Sequence, residues 1–142
     1  MSLEKQHKQA LRWLKTAEED LGAARGLRSL KKYSHSCFLA QQCGEKALKA
    51  LWYALGQDPW GHSVQKLIVD ILDKVARQVL KERLEEGVLL DRYYIPTRYP
   101  NGLPDLTPGE VYLRQDADLC IRCARAILTS VKSLINRLGQ TG

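Results

Sequence analysis

The chain has 142 residues, 44% of them apolar and 27% charged, which suits one domain over residues 1–142 with a core that needs neither metal nor disulfide staples. No apolar run is long enough to span a membrane and no apolar signal core opens the chain, so a cytoplasmic protein without a membrane role is expected, its four cysteines held as buried thiols. The net charge of +6 and pI near 9.2 permit an acidic partner such as a nucleotide, RNA or an acidic protein, although the basic residues are spread along every segment.

Residues 3–28 read as an amphipathic helix, with Leu3, Ala10, Leu14, Ala17, Leu21 and Ala24 recurring at threes and fours. Ser2 is placed to cap it, Glu4 and Lys8 to pair on its surface, and Asp20 lies near its core stripe. A basic connector carrying Lys31 and Lys32 leads to a second helix over about 34–55, whose apolar positions include Cys37, Phe38, Ala47, Leu48 and Leu51. Gly56 closes it and Pro59 forbids continuation. Gln41, Gln42, Glu45 and Lys46 sit in mid-helix, either as a solvated stripe with a Gln42–Lys46 pair or as a polar network between helices.

Ser63 can cap a third helix over 64–74, and a fourth follows over about 76–91, possible as a continuation of the third. Thr107, Pro108, Gly109 and Glu110 have capping-box spacing with proline at the first helical position. The last helix runs from about Arg114 to Leu138 along a seam of Cys120, Ala124, Ile127, Val131 and Leu134, with Gly139 as its stop. No segment alternates apolar and polar residues over strand length. The expected fold is all-α, an antiparallel up-and-down bundle of four to five helices.

Residues 89–100, Leu-Leu-Asp-Arg-Tyr-Tyr-Ile-Pro-Thr-Arg-Tyr-Pro, stand apart. They hold three of the six tyrosines, two arginines and two prolines. Pro96 and Pro100 bar an ordinary helix. Arginine forks beside tyrosine rings can hold a planar or phosphorylated ligand; the same residues could instead wedge helices apart in a buried connector.

Other chemistry finds little footing. Cys120 and Cys123 form a C-x-x-C inside a helix, away from the helix terminus or second ligand pair that redox and zinc sites need. There is no phosphate-binding glycine loop, metalloprotease motif or nucleophile elbow, and no cofactor is expected. Arg28 and His35 are separated by six residues. An arginine can stabilise a phosphorane-like charge and a histidine can move a 2′-hydroxyl proton.

Several stretches together resemble the HEPN family, the higher-eukaryote-and-prokaryote nucleotide-binding domain. Trp13, Leu14, Ala17, Asp20 and Leu21 resemble its first helix; Cys37, Ala40, Gln41, Gln42, Glu45, Lys46, Ala47, Leu48, Lys49 and Ala50 its second. His62, Ser63 and Leu67 resemble the start of its third helix, Asp116 and Ala117 the opening of its last. Asp91, Tyr93, Tyr94, Pro96, Arg98, Tyr99 and Pro100 resemble its signature segment. The resemblance implies a helical bundle, commonly homodimeric, often accompanied by a minimal nucleotidyltransferase, with toxin or antiviral ribonucleases in a branch marked by Arg-x4-6-His. This chain departs from that branch, because no histidine follows His62.

The expected function is therefore a non-catalytic module that binds a nucleotide or partners a minimal nucleotidyltransferase. Its ligand residues would be Arg98, Tyr94, Tyr99, Asp91 and Arg92. The alternatives are a toxin-type, metal-independent ribonuclease using Arg28 and His35, and a purely structural helical dimerisation module.

Overall fold

The computed structural model describes residues 2–141. Its frame is three long helices: α1 (Leu3–Ser29), α2 (Tyr33–Ala54) and α7 (Arg114–Thr141). Between α2 and α7 lie four short ones, α3 (Val64–Val69), α4 (Lys74–Leu80), α5 (Leu84–Asp91) and α6 (Pro108–Val111). The described residues contain no strand, and the protein is an all-α bundle.

Helix α1 starts where Ser2 Oγ accepts from the Lys5 amide at 3.2 Å, and Glu4 pairs with Lys8 at 3.5 Å. At its far end Lys31 takes a positive φ of 62°, which turns the chain back within three residues. Helix α2 then descends antiparallel to α1. Ser36 donates to Ala24 O at 2.7 Å, Lys46 pairs with Asp20 at 2.8 Å, and the Trp13 and Tyr53 rings meet at 5.7 Å. Helix α7 is antiparallel to α1, joined by Arg28–Asp118 near one end and Glu18–Lys132 farther along. It therefore runs parallel to α2.

The core is a single cluster drawn from all three long helices and roofed by α3–α5, with Leu48, Leu51, Ile71, Leu80, Leu90 and Ile127 fully buried. Gly44 permits the tightest approach: a Cβ there would stand 2.8 Å from Leu90 Cδ1. Gly56, with φ +75°, terminates the α2 turn as expected.

Three sequence expectations need correction. The third and fourth helices are not continuous. Asp73 accepts from the Ala76 amide at 3.0 Å and starts a new helix, while Ile71 is buried and its carbonyl accepts from Arg77 Nε at 3.2 Å. Residues 81–83 form a separate 3₁₀ turn before α5. Gly139 does not stop α7, which continues to Thr141. Gln42 does not pair with Lys46, because Asp20 takes the lysine and Gln42 bonds to Gln41 and Glu45.

Helix α3 has six residues, too few to hold itself. Asp91, at the end of α5, supplies the missing support: its carboxylate accepts from Ser63 Oγ at 2.6 Å, Val64 N at 2.6 Å and Gln65 N at 3.2 Å. Asp91→Ala should lower stability by roughly 1–3 kcal/mol, the loss of a cap with charge-assisted bonds. Chemical denaturation measures it, and the slope of the transition should be unchanged.

Candidate functional site

Residues 92–98 leave α5 through successive turns and bends. Thr97 is the buried pin, donating to Tyr93 O at 2.7 Å. This tight turn sets Tyr94 and Arg98 side by side. Arg98 Nε donates to Tyr94 O at 3.0 Å. Its guanidinium carbon lies 4.5 Å from the Phe38 ring centre, 4.5 Å from that of Tyr94 and 5.1 Å from that of Tyr99. The cation is thus held by three π-systems. Among the described residues it has no carboxylate partner, and its terminal nitrogens form no hydrogen bond.

Beside Arg98 opens a cavity of about 250 Å³, lined by Ser34, His35, Phe38, Thr97, Arg98, Pro108 and Gly109. Ser34 and His35 come from the first turn of α2, which has no side-chain cap and no acidic residue. Ser34 is buried, with Oγ 3.5 Å from His35 Nδ1. The opposite wall is α6, started by the Thr107–Glu110 capping box. There Glu110 accepts from Thr107 N at 3.1 Å and from Thr107 Oγ1 at 2.9 Å, and these bonds hold its carboxyl below the usual carboxylate range.

A polar network supports the cluster from beneath. Glu45 is 3% exposed. Its Oε2 meets Lys49 Nζ at 3.2 Å and its Oε1 meets His62 Nδ1 at 3.3 Å. Gln41 donates to His62 O at 3.1 Å. The His62 ring, so held, stacks on Tyr94 at 5.0 Å with a 19° tilt. The mid-helix polar residues of α2 are therefore a network between elements.

The expected ligand residues divide. Arg98, Tyr94 and Tyr99 come together. Arg92 is exposed and outside the ring cluster, and Asp91 is occupied with the start of α3. Arg28 and His35 are not assembled as a pair. Arg28 forms a two-pronged bond to Asp118, Nε–Oδ1 2.7 Å and Nη2–Oδ2 3.3 Å; that bond raises the arginine and lowers the aspartate from their ordinary pKa values. His35 instead lines the cavity with Arg98. Sequence reasoning missed Phe38 and His62 as members of the cluster. Phe38 is the chain's lone phenylalanine and sits one turn after Ser34 and His35, a spacing that places it on their face.

The cysteines are free and buried. Burial pushes Cys43 up to about 12. Cys120, a free thiol that shares a side-chain hydrogen bond with Cys37 and is buried, is raised as well. The described residues hold no cluster suited to a metal ion, and no described helix is long and apolar enough to cross a membrane.

A helical bundle of this topology has known counterparts. The HEPN domain model matches residues 10–134, and the chain belongs to the HEPN domain family. A Methanocaldococcus jannaschii protein named "Putative toxin MJ1304" is 28% identical over 135 residues, 90% of this chain and 89% of that one. The crystal structure of TT1696 from Thermus thermophilus superposes with a TM-score of 0.84 at 39% identity, covering 88% of this chain and 97% of the other. That of ST0689, an archaeal HEPN homologue, gives 0.75 at 38% identity, covering 89% and 98%.

Thiols buried away from solvent are poor nucleophiles. A disulfide-exchange reagent at pH 8 should leave all four cysteines of the native protein unreacted over minutes and titrate all four after denaturation, read by absorbance of the released thiolate.

Proposed function

We propose that this chain is a non-catalytic HEPN module that binds a nucleotide at the Arg98 cluster. One observation carries the reading: an arginine locked over three aromatic rings, with two unused terminal nitrogens at the edge of a cavity that no carboxylate lines. Such a fork is matched to phosphate oxygens, and exposed Tyr99 offers a ring face for a base. Tyr94, Thr97 and His62 are positioning residues in this reading, and Asp91 acts through α3. Pairing as a homodimer, or with a minimal nucleotidyltransferase, goes with it on the strength of family membership. A cytoplasmic setting goes with the free buried cysteines.

Arg98→Ala should abolish the thermal stabilisation that a saturating nucleotide gives the wild type, about 2.7 kcal/mol at a hundredfold excess over Kd. The unliganded variant should lose no more than about 1 kcal/mol, the size of an exposed cation–π contact. Wild-type protein that no nucleotide stabilises would end the ligand reading. A large loss of intrinsic stability in the variant would favour the purely structural module.

A second reading, a toxin-type ribonuclease, is favoured by one placement. His35 and Arg98 share the cavity, so a base for the 2′-hydroxyl and a cation for the phosphorane stand together without a metal. The name of the M. jannaschii relative points the same way. Arg28, held by Asp118, is replaced by Arg98 in this version. It requires RNA cleavage that persists in EDTA and falls at least about a hundredfold in His35→Ala, the usual scale for a general base. Gel analysis of a labelled RNA decides it, and cleavage indifferent to that substitution removes the reading.

A further inference from the structure

Arg98 lines its cavity with part of its guanidinium already engaged. Three rings lie within 5.1 Å of the guanidinium carbon, and Nε is spent on Tyr94 O. What remains for a ligand is the edge with the two terminal nitrogens, a fork shaped for two oxygens of one group. Ser34 and His35 also line the cavity, with Ser34 Oγ 3.5 Å from His35 Nδ1. Thr97 Oγ1 already donates to backbone carbonyls and offers nothing further.

Two properties of this cavity narrow the ligand. The first is size. Its 250 Å³ falls below the roughly 300–1,000 Å³ of pockets that enclose a whole drug-sized molecule. It fits a compact head group while the rest of the ligand lies outside, against Tyr99, which is half exposed. The second is donor supply. Arg98, Ser34 and His35 line one space without an acid among its lining residues, the Ser34 hydroxyl and the His35 ring acting as one linked pair. A phosphodiester presents two free oxygens and one charge. A phosphomonoester presents three oxygens and a charge of about −1.5 to −2 at neutral pH, and so matches the donors better.

We propose that the cavity between α2, residues 92–100 and α6 receives the terminal phosphomonoester of a mononucleotide and discriminates against a phosphodiester. This rests on the nucleotide reading and sharpens it: the phosphate end is read, and the base is carried on the rim.

The test titrates ¹⁵N-labelled protein with adenosine and guanosine 5′-monophosphates, with their 3′,5′-cyclic monophosphates and with the two nucleosides. The 5′-monophosphates should shift the amides of Ser34, His35, Thr97, Arg98 and Gly109. The cyclic diesters and nucleosides should bind at least about tenfold more weakly, the loss of one charge-assisted contact. His35→Ala keeps the fork and removes the imidazole left for the third oxygen, so it should shrink the monoester-to-diester ratio to about threefold or less. Equal affinity for monoester and cyclic diester overturns the proposal and leaves nucleotide binding standing. Full discrimination retained in His35→Ala also overturns it. If none of these probes shifts any amide, nucleotide binding falls, and the monoester proposal with it.

Discussion

The burial of Glu45 constrains everything around the site. A carboxylate almost sealed from water is tolerated only when its charge is met. Lys49 meets one oxygen from a turn along α2, and His62 and Gln42 meet the other. The histidine is the consequential partner, because it lies beyond the end of α2 in the connector to α3. Pinning it there sets the ring on which Tyr94 stacks, and Tyr94 in turn holds Arg98 by its carbonyl and its π face. The exposed cation therefore takes its position from a buried charge several contacts away. Asp91 completes the frame by tying the end of α5 to the start of α3, so the segment that carries Tyr94 leaves from a fixed point.

Much of this fold is legible in the order of residues, for local reasons. The helix starts at Ser2, Ser63 and Thr107 are written in side chains that reach amides two or three positions on, and the structure shows each bond or capping box. The apolar seam of α7 repeats at helical spacing over its whole length. The misreadings are local signals outvoted by packing. Ile71 and Leu72 look like helical core, yet Ile71 is buried in a non-helical link while Leu72 faces solvent. Gly139 resembles a stop, but nothing at that position requires a left-handed residue, and the helix passes through it.

The site is legible only in part, because its decisive contacts join residues far apart in the chain. Residues 89–100 announce themselves by composition, and Arg98, Tyr94 and Tyr99 do gather. Nothing local says that Phe38 would supply a face for the cation, or that Glu45 would reach His62. Arg28 shows the opposite error. Its distance from His35 along the chain suggests a pair, whereas Asp118, 90 positions later, claims it. Spacing reveals partners within a helix turn or two; beyond that, only packing does.

The parallel course of α2 and α7 has an electrical consequence. Two amino-terminal helix ends emerge on the same side as the cavity, each equivalent to about half a positive charge, against the single carboxyl-terminal end of α1. Lys31, Lys32 and Arg114 lie at this end as well, with Arg114 Nε 3.4 Å from Tyr33 Oη. The molecule thus has a pole, although its sequence scatters charge evenly. The field of these two helix ends reaches one screening length, about 8 Å at physiological salt, beyond the surface.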